Sequence, residues 1–135
     1  MDKIIGRITE RWHDIAYAVF RVAIGLLFAE HGAQKVLGMF GGTPFQAGSF
    51  MWFIGIIELL GGLAIAFGMF VRLAALGTAS VMVGAYITVH APQTLAPILN
   101  GGELALLYLA SFILILAKGS GKAGLEMLAL KREVF

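Results

Sequence analysis

The chain has 135 residues, of which 59% are hydrophobic and only 13% are charged, and its mean hydropathy is +0.89. Soluble domains carry about twice this share of charged residues, so the composition excludes an ordinary soluble fold and predicts an integral membrane protein. The net charge of +2 is too small, and too concentrated at the chain ends, to favour a nucleic acid as a ligand. Cysteine is absent, which excludes disulfides and thiolate metal sites within this chain.

Four membrane-spanning helices are predicted in a single all-α domain, residues 1–135. A spanning helix needs about 20 mostly apolar residues, and this chain length holds about four of them joined by short loops. Glycine and proline clusters separate the apolar segments, which we place at residues 15–36, 50–70, 73–89 and 102–117. The expected fold is therefore a four-helix bundle in the lipid bilayer.

The two ends of the chain are predicted to lie outside the hydrocarbon layer. Residues 1–14 combine charges with apolar side chains at helical spacing, including Ile4, Ile5, Ile8 and Trp12. This pattern is typical of an interfacial amphipathic segment that lies on the membrane surface. Residues 118–135 form a basic, glycine-rich tail.

The positive charges predict the orientation of the bundle. Loops 38–49 and 91–102 contain no Lys or Arg. Because Lys and Arg accumulate on the cytoplasmic side, both termini are predicted in the cytoplasm and both loops outside. The residues assigned to the cytoplasmic side are Lys3, Arg7, Arg11, Arg72, Lys118, Lys122, Lys131 and Arg132.

One face of the first span is predicted to turn toward the interior of the bundle. Spacings of three and four residues place its members on one side of a helix, with His31 at the edge: Arg21, Gly25, Phe28, Gly32 and Lys35. Lys35 either belongs to an internal site or extends to the interface, and Arg21 is expected to extend to the interface or to pair helices. Glu30 points the opposite way, as a subunit contact in a homo-oligomer or as an interfacial side chain.

Other ionisable residues fall at the same depth on the other spans. Glu58 lies eight residues into the second span, roughly 12 Å deep, close to the depth of His31. His90 ends the third span, as a ligand or as a polar helix cap, and Glu103 begins the fourth. Charged side chains in a bilayer usually face the bundle interior and pair with one another, so we expect a polar pocket that opens to the outside. Glu58 in particular requires a partner, because an isolated carboxylate there is either neutral or very costly.

Small residues in two spans are interpreted as packing positions rather than as a ligand site. Gly61 and Gly62 lie one turn below Glu58, and the third span carries a row of small side chains that would let helices approach closely: Ala74, Gly77, Ser80 and Gly84. The glycine-rich loops lack the strand context of a dinucleotide-binding fingerprint and are interpreted as turns and helix starts.

Three segments together resemble the DoxX family of small four-helix bacterial membrane proteins: RVAIGLLFAEHGAQK, ELLGGLAIAFGMFVRLAAL and NGGELALLYLASFILIL. The resemblance covers about residues 20–126 and adds Asn100 to the candidate site. It implies a multi-pass protein of the bacterial plasma membrane, in a family linked through some members to quinone-coupled sulfur oxidation and to oxidative-stress complexes. The usual ending of the family, G-P-G followed by Ser-Leu-Asp, is replaced here at Ser120, Gly124 and Glu126.

Two classes of function follow from this pattern. The first is a redox-associated subunit that binds a quinone or a similar small molecule, in which His31 and Lys35 contact a carbonyl oxygen and Glu58 or Glu103 manages protons. The chain shows no electron carrier of its own, so a redox partner protein has to supply electrons. The second is a non-catalytic membrane scaffold or small-solute binding protein that recruits a partner. A third hypothesis is a haem held by His31 and His90.

The ligand-binding residues predicted from the sequence are therefore His31, Lys35, Glu58, His90, Asn100 and Glu103. No metal site is predicted, and a quinone is the cofactor that the pattern favours.

Overall fold

A computed structural model describes residues 2–133, and within them the side chains of residues 2–5 and 7 are not described. All regular structure in this part of the chain is helical. The helices are α1 (Asp2–Leu37), α2 (Phe50–Phe67), α3 (Val71–Ala85, continued by a π-helical turn at Tyr86–His90), α4 (Pro97–Asn100), α5 (Glu103–Lys118) and α6 (Leu125–Leu130). The predictions made for the side chains of Lys3, Ile4, Ile5 and Arg7, and for residues 134–135, lie outside the described residues.

Within residues 2–133, three helices are long and apolar enough to cross a membrane: Ile8–Leu37, Phe50–Phe67 and Val71–His90. Helix α5 has 16 residues, fewer than the roughly 20 that usually span the hydrocarbon layer. The all-helical membrane architecture is confirmed, whereas the count of four spans and the cytoplasmic placement of both termini remain predictions. Helix α4 lies in a segment that the sequence predicts as a loop.

The predicted interfacial segment and the first span form one continuous helix of 36 residues. A straight helix of this length measures about 54 Å, which exceeds the hydrocarbon layer of about 30 Å. Its charged first turns are exposed from Ile8 to His13. The placement of this segment at the membrane surface remains a prediction.

Helices α1 and α2 pack so closely that glycine is required in both. A Cβ atom on Gly25 would lie 2.5 Å from the backbone nitrogen of Ala66, and one on Gly62 would lie 2.6 Å from the backbone nitrogen of Ala29. Two further glycines make close contacts nearer the cavity: Gly32, seven residues after Gly25, lies against the backbone of Leu59, and Gly55, seven residues before Gly62, lies against the side chain of Lys35. The residue types at these four positions therefore set the distance between the two helix axes.

The small residues of α3 divide into two groups. Gly77 faces Ile57 of α2, and a Cβ on Gly61 of α2 would lie 2.7 Å from the Thr78 side chain. Packing is thus the role of these positions. The packing prediction is wrong for Ser80 and Gly84, which are exposed on the outer surface of the bundle. Helical periodicity alone does not distinguish the inner face of α3 from its outer face, because small residues occur on both.

Two arginines hold the end of the bundle at which the chain terminates, which we call the tail end. Arg21 is 1% exposed and donates to the carbonyl oxygens of Ile65 and Ala66 in the last turn of α2. Arg72 donates to Leu116 O at 2.6 Å in the last turn of α5. A cation at a helix C-terminus satisfies carbonyls that lack an intrahelical partner and interacts favourably with the helix dipole. Of the two alternatives for Arg21, the structure shows helix pairing.

The tail covers this end of the bundle. Glu126 is buried and accepts a hydrogen bond from the backbone N–H of Phe70 at 2.7 Å, just before α3 begins. Arg21 also donates to Ala123 O at 3.3 Å, and the Tyr17 hydroxyl donates to Gly119 O at 2.6 Å. The segment predicted as a basic tail is therefore partly folded, and its carboxylate stabilises the start of α3.

Candidate ligand cavity

A partly open cavity of about 250 Å³ lies between α1, α2, α3 and α5, at the end of the bundle opposite the tail, which we call the cavity end. Antiparallel helices contribute opposite ends to the cavity: α1 and α3 contribute their C-terminal parts, and α2 and α5 contribute their N-terminal parts. Its walls combine apolar and ionisable side chains: Phe28, His31, Lys35, Glu58, Met82, Ala85, His90, Gly101, Leu104, Ala105 and Tyr108.

An ion pair between α1 and α2 forms one wall of the cavity. The Lys35 ammonium lies 2.5 Å from both carboxylate oxygens of Glu58. The Glu58 side chain is 2% exposed, whereas that of Lys35 is 25% exposed. The carboxylate is therefore held inside the bundle with its charge compensated, and the ammonium lies between it and the opening. Of the two alternatives for Lys35, the structure shows the internal pair.

An aromatic cluster forms a second wall. Tyr108 of α5 contacts Phe28 of α1 edge-on, with ring centroids 5.0 Å apart, and the His31 ring stands at 90° to it at 5.8 Å. Phe112 closes the cluster against Phe28 at 4.7 Å. Such contacts fix ring orientations, and in the described part of the chain neither the His31 imidazole nor the Tyr108 hydroxyl has a hydrogen-bond partner. Both groups are available to a molecule in the cavity.

The third wall is the π-helical turn that ends α3. It places His90 in the lining, and the His90 Nδ1 lies 2.9 Å from the backbone oxygen of Asn100. Asn100 is buried and its side chain is engaged on both sides: it donates to Thr94 O at 2.8 Å and accepts from Gly102 N–H at 2.7 Å. Short π-helical segments inside α-helices often occur at functional sites.

The structure brings four of the six predicted ligand-binding residues together. His31, Lys35, Glu58 and His90 line the same cavity. Asn100 lies behind the wall, where it holds the loop and His90, and Glu103 is exposed outside the lining. Glu103 is the first residue of α5 and its exposed side chain lies outside the lining, whereas the next residue, Leu104, contributes to the lining although it is 49% exposed.

Sequence reasoning did not single out Tyr108. Its signal is weak, because an aromatic residue in an apolar span is expected to be ordinary core. A helical projection of α5 places Tyr108 on one face with Ala105 and Phe112, which are also buried. A tyrosine on the inner face of a membrane helix carries a hydroxyl that needs a hydrogen-bond partner. This requirement is the signal in the sequence that could have identified Tyr108 as a candidate site residue.

Comparison with known proteins assigns the chain to a family. The DoxX family model matches residues 16–91, which is more than half of the sequence. This protein belongs to the DoxX family. The resemblance found in the sequence is thus confirmed, and the match includes the Lys35–Glu58 pair and His90.

Two relatives of this DoxX protein are similar over nearly the whole chain. A protein of Bacillus subtilis (strain 168), named "Putative oxidoreductase CatD", is 32% identical over 123 residues, which cover 87% of this chain and 90% of that protein. A protein of Haemophilus influenzae, named only "Uncharacterized protein", is 32% identical over 124 residues, which cover 87% of this chain and 92% of the relative. No solved structure matches the chain.

Proposed function

We propose that this DoxX protein is a redox-associated membrane subunit that binds a quinone, or a similar ring with carbonyl oxygens, in the cavity. The observation that carries the proposal is the Lys35–Glu58 pair, which shares one small cavity with two imidazoles and a tyrosine hydroxyl. The name of the Bacillus subtilis relative supports an oxidoreductase association for this chain as well. In this proposal a partner protein supplies the electrons, since the chain has no cysteine for a thiol redox relay.

The size of the cavity favours a headgroup over a large cofactor. Its volume of about 250 Å³ lies just below the range of roughly 300–1,000 Å³ of pockets that enclose drug-sized ligands. A single substituted ring fits such a volume, with an apolar substituent leaving through the open side toward lipid. A haem macrocycle between His31 and His90 does not fit unless the helices separate.

Each polar residue of the cavity has a role in this proposal. A quinone supplies the electron-accepting carbonyl groups. The Lys35 ammonium and the His31 imidazole donate hydrogen bonds to a carbonyl oxygen, and the aromatic wall of Phe28 and Tyr108 packs against the ring. The Glu58 carboxylate holds the ammonium in place and is positioned to exchange a proton with it. Glu103 has no part in this version of the mechanism, since it lies outside the lining.

The test is binding of a defined quinone to the purified protein in detergent. Tetramethyl-1,4-benzoquinone is added by equilibrium dialysis to the wild type and to the double variant Lys35→Met with Glu58→Gln. We expect binding to the wild type and at least a tenfold loss in the double variant, because a charge-assisted hydrogen bond contributes about 1.5–3 kcal/mol. A quinone in the organic extract of the purified wild type would strengthen the result.

The matched control removes another Lys–carboxylate pair, one on the surface. Lys122 and Asp14 lie 2.8 Å apart on the surface at the tail end, and Lys122→Met with Asp14→Asn should leave binding unchanged. If neither the quinone probe nor any extracted small molecule binds the wild type, the redox proposal fails, and the non-catalytic scaffold is the function that remains.

The proposal places the cavity on the outer half of the bacterial plasma membrane, with four spans and cytoplasmic termini. Two features support it: α5 exposes an apolar face that suits lipid contact (Leu104, Leu107, Ile113 and Leu114), and the cavity-end loops lack Lys and Arg.

Single cysteines at the exposed positions Gln46 and Gln93 should react with an impermeant thiol reagent in intact cells, and one at Ala123 should not. Ser120 is a poor reporter, because it is 1% exposed. The reverse labelling pattern would place the cavity on the cytoplasmic side.

A further inference from the structure

We infer that His90 is a hydrogen-bond acceptor of the cavity, so that the site binds a ring bearing a hydroxyl group, of the hydroquinone class, in preference to the corresponding quinone. This inference rests on the proposed function and names the form of the ligand that the cavity recognises. It depends on one contact, the 2.9 Å distance between His90 Nδ1 and the Asn100 backbone oxygen.

That contact fixes the tautomer of the imidazole. A carbonyl oxygen has no proton and can only accept, so Nδ1 carries the hydrogen in this contact. In the neutral ring the other nitrogen, Nε2, then has a free lone pair and no proton. His90 lines the cavity and its Nδ1 edge faces Asn100, so in this inference the opposite edge, with Nε2, is the one that meets the ligand. In the described residues Nε2 has no protein partner.

The loop around Asn100 is built to hold this orientation. The Asn100 side chain bonds to Thr94 O and Gly102 N–H, so its backbone oxygen is fixed within the loop. A Cβ on Gly102 would lie 2.7 Å from both Asn100 Oδ1 and the Tyr86 ring, so glycine is required for the loop to close on the π-helical turn. Asn100 thus acts through His90 as a positioning residue.

The cavity therefore offers donors and an acceptor from different helices. Lys35 on α1 is a donor, and its negative partner Glu58 lies behind it, 2% exposed, with both oxygens bonded to the ammonium. His90 Nε2, on α3, is an acceptor. A quinone presents only acceptors and leaves the Nε2 lone pair unpaired, whereas a hydroquinone hydroxyl can donate to it. An acceptor that the ligand covers but does not pair costs binding free energy, and this difference is the source of the preference.

The experiment compares two forms of one probe under anaerobic conditions. Dissociation constants for tetramethyl-1,4-benzoquinone and its hydroquinone are measured by equilibrium dialysis. We expect the wild type to bind the hydroquinone about tenfold more tightly, as one net hydrogen bond predicts. His90→Phe should abolish the preference and retain affinity for the quinone. His13→Phe, the same change at an exposed histidine on α1, should leave the preference intact.

The outcomes separate this inference from the proposed function. If both forms bind the wild type equally, or if His90→Phe keeps the preference, the inference is wrong and the quinone site stands. If neither form binds, the proposed function and the inference both fail.

A second measurement does not depend on a His90 variant that folds. Nitrogen-15 chemical shifts of histidine-labelled wild type, assigned with His13→Phe and His31→Phe, report which ring nitrogen of His90 carries the proton. The inference requires the tautomer protonated at Nδ1, and a ring protonated at Nε2 alone would overturn it.

Discussion

The two ends of this bundle use buried charge in opposite ways. At the tail end, the Arg21 guanidinium bonds to the backbone carbonyls of three residues. The tail covers this side chain, and only 1% of the residue is exposed. At the cavity end, the Lys35–Glu58 pair borders open space, together with two imidazoles and a tyrosine hydroxyl. Charge at the tail end joins helices beside an apolar groove in which Arg21 is the one charged lining residue, whereas charge at the cavity end is grouped with other polar side chains around a volume that another molecule can enter.

The difference comes from where the partners are. In the described part of the chain, the Arg21 Nε is the one buried side-chain nitrogen or oxygen without a hydrogen-bond partner, whereas the other two guanidinium nitrogens of Arg21 bond to backbone carbonyls of the chain itself. The rings of the cavity keep hydrogen-bonding capacity that no described residue uses. A buried charge is therefore a sign of a ligand site only where its surroundings are left incomplete.

The largest expected effect is at the tail end. Arg21→Met removes the donor to the last carbonyls of α2 and should lower the free energy of unfolding in detergent by about 4 kcal/mol, since each hydrogen bond to a charged group contributes about 1.5–3 kcal/mol. Quinone binding in the refolded or residual folded protein should be unchanged. Arg11→Met, at an exposed position of the same helix, is the control. A loss of binding without a loss of stability would mean that the two ends are not separate in function.

The second effect tests whether the ion pair at the cavity end is coupled. Glu58→Gln leaves the Lys35 ammonium uncompensated and should cost about 3 kcal/mol, at the low end for a buried pair because Lys35 is 25% exposed. Lys35→Met in the Glu58→Gln background should recover part of this loss, giving a coupling energy above about 1 kcal/mol in the double-mutant cycle.

The same cycle on Asp14 and Lys122 supplies the matched surface pair. The hydrogen bond to Asp14 raises the pKa of Lys122, so the ammonium is charged at neutral pH. The contact is lost when the pH rises through the raised pKa of Lys122. We expect little coupling there, because water screens an exposed pair. Equal coupling in the two cycles would remove the distinction between the cavity pair and an ordinary surface pair.

The third effect concerns the glycine contact that connects the two ends. Gly62→Ala should lower the free energy of unfolding by about 1–3 kcal/mol, because the new Cβ would lie 2.6 Å from the Ala29 nitrogen and α1 and α2 must move apart. Gly84→Ala, with open space around the position, should be neutral or slightly stabilising. Unchanged thermal unfolding of the Gly62 variant would show that the helices separate without cost.

The face of α1 was predictable from the sequence because helical periodicity is local. The spacing of three and four residues correctly predicts which side of α1 is buried: Arg21, Phe28 and Gly32 are buried, and Glu30 is exposed. The partner of Lys35 was also predictable, since Glu58 is the lone ionisable residue of the second span and a buried carboxylate requires a cation. Family membership followed from three short segments in order.

Other features depended on the three-dimensional arrangement of the chain. Periodicity could not show that Ser80 and Gly84 face outward, that Glu103 leaves the cavity, or that Tyr108 enters it, because these outcomes depend on the rotation of α3 and α5 about their axes. Nor could it show the return of the tail that buries Glu126, a contact across 56 residues. Residue order determines which side chains share a helix face, whereas the packing of helix against helix determines what that face meets.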